Sequence, residues 1–160
     1  MKIALRRGFT LIELLVVIGI LAVLLAIVLI AINPARQFAQ ANNTKRSSDV
    51  NALLNAIHQY AADHRGNISA LGIPSAAPAT IGNAVGEVNI CDLMVTEYIA
   101  ALPVDPSTDN GDPILEADCA DVTLTTAYDV VQSAANGRIT VSAPDAEAID
   151  GVAPVISVTR

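Results

Sequence analysis

An acidic side chain, Glu13, lies immediately before an unbroken apolar run of 19 residues, 14–32. A carboxylate at the membrane end of an apolar helix loses hydration, at a cost that rises with its depth in the bilayer. Such a residue is by default functional and is expected to have a partner. Two structural explanations compete: Glu13 lies in the headgroup zone, or it favours the helix N-terminus through the macrodipole. Position alone does not separate the functional explanation from these structural ones.

The two cysteines allow a single pairing, Cys91 with Cys119. Disulfides persist in extracytoplasmic compartments, and the basic residues described below place both cysteines there. We therefore predict a Cys91–Cys119 disulfide, with two separately buried thiols as the alternative. Two cysteines are too few for a structural zinc site built from three or four thiolates.

One loop matches part of a calcium-binding pattern. Four oxygen-bearing residues occupy EF-hand positions 1, 3, 5 and 12: Asp105, Ser107, Asp109 and Glu116. Asn110 stands where the pattern requires glycine, which follows one residue later at Gly111. A solvated acidic loop is therefore the preferred interpretation, and no cofactor is predicted besides this incomplete calcium pattern.

The histidines do not form a metal or catalytic pair on one helix face. His58 and His64 are six residues apart, which is about 240° around a helix. The sequence also lacks a nucleophile elbow, a phosphate loop and a His-Glu-x-x-His motif. We therefore expect both histidines on a polar helix face and predict no enzymatic activity.

The apolar run has the length of a membrane-spanning helix. As a helix it covers about 28 Å, close to the ~30 Å hydrocarbon thickness of a bilayer. Lys2, Arg6 and Arg7 precede it, so the positive-inside rule places the N-terminus in the cytoplasm and the residues after Ile32 outside. The run is too long for an ordinary secretory signal. A buried helix of a soluble protein would need polar positions on its outer face.

The N-terminal segment resembles the processing site of type IV prepilins and type II secretion pseudopilins. A short basic leader ends in Gly8, Phe9 follows directly, and Glu13 stands four residues beyond Phe9. The resemblance implies that prepilin peptidase, a membrane aspartyl enzyme, cuts between Gly8 and Phe9 and methylates the new amine of Phe9. Glycine suits this position because it presents no side chain to the enzyme. The mature chain would have 152 residues (160 − 8) and a charge of −10 (6 − 16).

Cleavage would supply the partner that Glu13 lacks. In the family, the glutamate of one subunit pairs with the new amine of its neighbour as subunits enter the filament. Each charge is costly alone in low-dielectric surroundings, and the two neutralise one another only when subunits stagger correctly. The resemblance thus implies an assembly role for Glu13 in a homopolymer that other pilins or pseudopilins join. Pseudopilins of the major type carry a calcium site, but its residues have no position-by-position match in this sequence.

Helical periodicity continues beyond Asn33-Pro34, where proline is expected to kink or end the helix. One stripe of the second half is apolar: Val50, Leu53, Leu54, Ile57 and Tyr60-Ala61. Polar residues, Arg46 among them, occupy other faces, and Gly66 suits the C′ position. We predict one long helix from about Phe9 to about Arg65. Its part 9–32 spans the membrane or fills a filament core, and its amphipathic part 33–65 packs on the chain's own domain.

The remaining residues, 66–160, predict one small domain. Residues 66–87 indicate an extended connection without strong periodicity, a short helix is predicted over 92–99, and turns dominate 102–113. Asn136-Gly137 indicates a hairpin. Strands are predicted over 125–131, 138–142 and 155–159. The predicted fold class is α+β, with a long N-terminal helix packed on a small antiparallel sheet in a pilin-like arrangement.

Composition excludes other functional classes. The chain is 52% hydrophobic and 16% charged, which is too apolar for a disordered protein. Its 3% aromatic content and pI near 4.5 argue against nucleic-acid binding. We predict a structural subunit that lies first in the bacterial inner membrane and then in an extracytoplasmic filament. A single-pass anchored binding module that does not polymerise is the alternative; an anchored enzyme would need a catalytic cluster, and none is found.

Overall fold

The computed structural model describes residues 8–160 of the chain. The predicted leader, apart from Gly8, therefore lies outside the described residues, together with the basic side chains that orient it. The chain divides into two compact units, one ending at Phe38 and the other comprising Ala39–Arg160.

Helix α1 spans Leu11–Ile32 and α2 spans Pro34–Asp63. Between them Asn33 adopts a left-handed conformation (φ 47°), so the prediction of one helix running through this point was wrong. The physical reason is Pro34, whose ring disfavours a helical conformation at the preceding residue. Proline is well tolerated at the first position of a helix, and asparagine is among the few residues that accept the left-handed conformation.

The C-terminus of α2 is closed by two residues with positive φ, Arg65 and Gly66. The Gly66 N–H donates to the carbonyl of Ala61 (2.7 Å) and the Arg65 N–H to that of Ala62 (3.4 Å). This is the Schellman pattern, and it places Arg65 rather than Gly66 at C′.

The apolar stripe of α2 forms the centre of the core in the second unit. Five of its side chains are buried: Val50, Leu53, Leu54, Ile57 and Tyr60. They belong to one cluster with Tyr128, Val130 and Val141 of the sheet. The predicted packing of an amphipathic helix on a sheet is confirmed. Arg46, which was predicted to lie on a polar face, is instead fully buried.

The sheet has four antiparallel strands in the order β1-β2-β3-β4. The strand bounds are β1 Ala79–Gly82, β2 Thr125–Gln132, β3 Ile139–Ala143 and β4 Ile156–Thr159. The α+β pilin-like fold class is thus confirmed, with the last three strands close to their predicted positions. Gly137 has φ 69° in the β2–β3 turn, as the Asn-Gly signal predicted.

Strand β1 lies in the stretch that was predicted to be an extended connection. Its four residues are too few to show a period, and pairing with β2 defines it: Ala79 is opposite Val130 and Thr80 opposite Asp129. The Thr80 hydroxyl donates to the Asp129 carboxylate (2.8 Å). The short helix was also predicted too long: α3 spans Cys91–Met94 only.

The predicted disulfide joins Cys91, at the start of α3, to Cys119, with Cα atoms 5.4 Å apart. Both cysteines are buried. The bond ties the first residue of α3 to the loop that leads into β2.

Replacing Cys91 and Cys119 with serine is expected to lower the free energy of unfolding by about 3–4 kcal/mol, because the bond closes a long loop in the unfolded chain. Denaturant unfolding of the full chain in detergent measures this. Reductant should bring the wild-type protein to the level of the double variant and leave the variant unchanged. Identical wild-type midpoints with and without reductant would contradict the prediction.

Candidate processing and assembly site

Gly8 and Phe9 precede α1 without regular secondary structure. Phe9 is 81% exposed. A Cβ built at Gly8 would meet no atom within 4 Å, so packing within the described chain gives no reason for glycine here. Both residues that flank the predicted cut are exposed within the described residues.

Thr10 and Glu13 form a capping box at the N-terminus of α1. The Glu13 carboxylate accepts hydrogen bonds from the Thr10 N–H (2.9 Å) and the Thr10 hydroxyl (2.8 Å). In return, the Glu13 N–H donates to the Thr10 hydroxyl oxygen (3.2 Å). These bonds satisfy donors that have no partner inside the helix. Glu13 therefore caps its own helix through hydrogen bonds, a structural role that differs from the headgroup and macrodipole explanations considered for it.

Sequence reasoning missed Thr10. Its signal was present, because Thr10-x-x-Glu13 is the Ser/Thr-x-x-Glu/Gln pattern that marks a helix start ahead of an apolar run. Around Glu13 the surface is apolar: Phe9, Ile12, Val16 and Val17 line a shallow groove beside the carboxylate. The carboxylate thus combines a fixed position with hydrophobic surroundings.

After its first turn, α1 carries apolar side chains on all sides, and no other part of the described chain buries them. From Leu11 to Ile30 it is long and apolar enough to cross a membrane, and none of this stretch is buried in the described chain. Each large apolar side chain from Leu11 to Ile30 is between 48% and 83% exposed. A helix of this kind needs lipid or other helices around it.

The second unit contains a buried ionic cluster centred on Arg46. The Arg46 Nε donates to Asp105 Oδ2 (2.6 Å) and Nη2 donates to Oδ1 (2.8 Å), a bidentate pair. Nη1 donates to Asn43 Oδ1 (3.0 Å) and to Glu147 Oε1 (3.2 Å). Arg46 and Asp105 are both fully buried, so α2 is fixed to the loop before β2 by paired charges.

Opposing effects set the pKa of the Asp105 carboxyl. Burial raises the pKa, but hydrogen bonds from Arg46 and Ser107 outweigh burial and hold it below its ordinary value. The hydrogen bond to Asp105 raises the pKa of Arg46 in turn. Nearby, burial raises the pKa of Asp49 although Tyr128 donates a hydrogen bond to it (2.8 Å). Burial together with that bond also raises the pKa of Tyr128.

Asn43 attaches α2 to the β3–β4 connection through main-chain atoms. Its Oδ1 accepts the Glu147 N–H (2.9 Å), and its Nδ2 donates to the Glu147 carbonyl (2.8 Å). Asn42 adds a bond to the Glu147 carboxylate (2.7 Å). Arg46, Asn43 and Asn42 therefore hold two separate connections against one helix.

The predicted solvated loop is only partly solvated. Asp109 and Glu116 are exposed, but Asp105 is fully buried against Arg46. The sequence could not show this, because Arg46 and Asp105 are 59 residues apart. In residues 8–160, no group of three or more His, Cys, Asp or Glu side chains is arranged to hold a metal ion.

The two histidines differ in environment. His64 is exposed and stacks on Tyr60 with ring centroids 4.0 Å apart, and its Nδ1 lies 2.9 Å from the Tyr60 carbonyl oxygen. His58 is half-buried, and its Nε2 is buried with no hydrogen-bond partner among residues 8–160. The prediction that both histidines lie on a polar helix face therefore holds for His64. His58 is only half-exposed, with its Nε2 buried.

Comparison with known proteins gave one finding. A family model described as the prokaryotic N-terminal methylation motif matches residues 3–29, which include Gly8, Phe9, Thr10, Glu13 and most of α1. Searches of curated proteins and of solved structures found no match. Proteins of the matched type are structural, pilin-type substrates rather than enzymes. The chain carries the N-terminal signature of type IV prepilins and pseudopilins, on an apolar helix suited to membrane anchoring.

Proposed function

We propose that this protein is a structural subunit of a type IV pilus or type II secretion pseudopilus that polymerises through α1. The observation that carries the proposal is the exposed apolar helix with a carboxylate fixed in its first turn. A tether needs the apolar surface but not the carboxylate, which is unfavourable in lipid. A polymerising helix uses both features.

The apolar surface of α1 requires two environments in succession. Before assembly, lipid covers it, with the N-terminus in the cytoplasm and the second unit outside the inner membrane. After assembly, the α1 helices of neighbouring subunits and of other pilins or pseudopilins cover it. The change is feasible because lipid tails and packed aliphatic side chains are similarly apolar, so close packing and charge pairing decide between them.

Charge pairing supplies the direction of this change. Removal of the leader by prepilin peptidase creates an amine on Phe9, which is then methylated and remains cationic. In the free subunit the Glu13 carboxylate is already held by Thr10 of its own chain. In the filament the carboxylate gains the Phe9 amine of a neighbour, so two charges in apolar surroundings neutralise one another.

Mass spectrometry of the native N-terminus tests the processing step. We expect a chain that begins at Phe9 and carries one added methyl group. Gly8→Leu should leave the leader attached and prevent filaments, because the enzyme must accommodate a side chain at the cut. Gly72→Leu is the control for a glycine whose Cβ would also meet no atom; it should be processed normally. A native chain that keeps Met1 would support the anchored binding module instead.

A further inference from the structure

The loop that matches part of a calcium-binding pattern does not suit a metal ion. Both carboxylate oxygens of Asp105 accept hydrogen bonds from Arg46, and Oδ1 also accepts them from the N–H and hydroxyl of Ser107. A calcium ligand needs a lone pair directed at the ion. In Asp105, the first residue of the predicted pattern, both carboxylate oxygens are therefore already engaged in hydrogen bonds.

A second side-chain cation lies where the two ends of this loop meet. The ammonium group of Lys45 donates to the carbonyl oxygens of Val104 (3.2 Å) and Gly111 (3.0 Å). Carbonyl oxygens are among the ligands that calcium takes in proteins. Lys45 and Arg46 are adjacent on α2, so one helix turn delivers both cations to the loop 104–111.

Gly111 is required for this arrangement. A Cβ at Gly111 would lie 2.6 Å from the Lys45 nitrogen and 3.2 Å from the Cα of Pro106, and the residue has φ 71°. Asp49, four residues along α2 from Lys45, provides a nearby carboxylate whose pKa the lysine charge helps to lower against the stronger effect of burial. The Lys45 ammonium group thus has two carbonyl acceptors and a nearby carboxylate, Asp49, of opposite charge.

We propose that Lys45 and Arg46 hold loop 104–111 in place of a metal ion, and that this chain does not take calcium there. A side-chain cation is present at fixed stoichiometry, so the order of the loop does not depend on calcium outside the cell.

Amine labelling of the full chain in detergent tests the proposal directly. Apart from Lys2 in the predicted leader, Lys45 is the only lysine, so a peptide containing residue 45 reports its reactivity whether or not the leader has been removed. We expect Lys45 to react about tenfold more slowly in the folded than in the denatured chain, because the ammonium group must leave both carbonyl oxygens before it can react. Its rate should be the same in calcium and in chelator.

Two glycine variants make the test specific. Gly111→Ala should displace the ammonium group and raise the labelling rate of Lys45 toward that of the denatured chain. Gly72→Ala carries a similar positive φ of 66° but adds a Cβ with no neighbour, so it should leave the rate unchanged. A wild-type rate that rises when calcium is added, or a folded rate equal to the denatured rate, would overturn the proposal.

Discussion

Glu13→Ala is expected to abolish filaments while leaving membrane insertion and leader cleavage intact. The substitution makes the helix more apolar, so insertion is not impaired, and the cut lies four residues upstream. In the filament, however, each Phe9 amine would be left without a counter-charge in apolar surroundings, which is strongly unfavourable. We expect roughly a hundredfold or greater loss of filaments, measured by electron microscopy and by shearing of surface fibres.

Two further variants separate pairing from capping. Thr10→Ala removes the capping box but keeps the carboxylate, and loss of a cap typically costs about 1 kcal/mol; filaments should be reduced but present. Glu13→Gln keeps the size of the side chain without its charge and should behave like Glu13→Ala. Glu97→Ala, an exposed acidic residue of the second unit, is the control and should assemble normally. Equal defects in Thr10→Ala and Glu13→Ala would assign Glu13 a capping role alone.

Arg46→Met is expected to lower the free energy of unfolding of the second unit by about 3–5 kcal/mol, because it leaves the Asp105 carboxylate buried without its partner. Denaturant unfolding of the full chain in detergent measures the loss. The double variant Arg46→Met/Asp105→Leu should recover part of it, since paired apolar replacements avoid the unpaired charge. A single variant within about 0.5 kcal/mol of the wild-type value would mean that the pair contributes nothing.

The same pair predicts a pH dependence with a definite sign. The pKa of Asp105 is lower in the folded than in the unfolded chain, where it is near 3.8. Its contribution is therefore present above about pH 4 and lost as the pH falls through the folded value. Asp49 acts in the opposite sense, because its raised pKa favours folding as it is protonated. The difference in the free energy of unfolding between wild type and Asp105→Asn should therefore shrink in acid. It also includes a change at Asp49, because the Asp105 charge helps to raise the pKa of Asp49.

Patterns within short stretches of sequence predicted the elements whose formation depends on residues close together in the chain. The uniform apolar run became α1, the period of Val50, Leu53 and Ile57 became the buried face of α2, and Asn136-Gly137 became a turn. Strand β1 could not be predicted, because four residues show no period and β2, more than forty residues away, defines them. The interruption at Asn33 was signalled by Pro34, but the sequence left open whether the helix bends or stops.

Part of the candidate site could likewise be predicted from neighbouring residues, and part depends on the tertiary fold. Gly8, Phe9 and Glu13 are adjacent in sequence, so the motif could be recognised without a fold, and Thr10 could have been found by the capping pattern. The burial of Arg46 and Asp105 could not be predicted, because isolated charges are normally solvated and these two meet only after α2 has packed. The position of Lys45 at the two loop carbonyls has the same tertiary origin.

The bond between Asn43 and the β3–β4 connection has a consequence for how this protein can vary. The Asn43 amide bonds to the main-chain N–H and carbonyl of residue 147. These two bonds do not depend on which side chain residue 147 carries. Position 147 can therefore mutate freely with respect to these two bonds, and the neighbouring surface can diversify without loss of the attachment to α2. Asn43 itself has no such freedom, because aspartate lacks the donor and glutamine displaces it by a methylene.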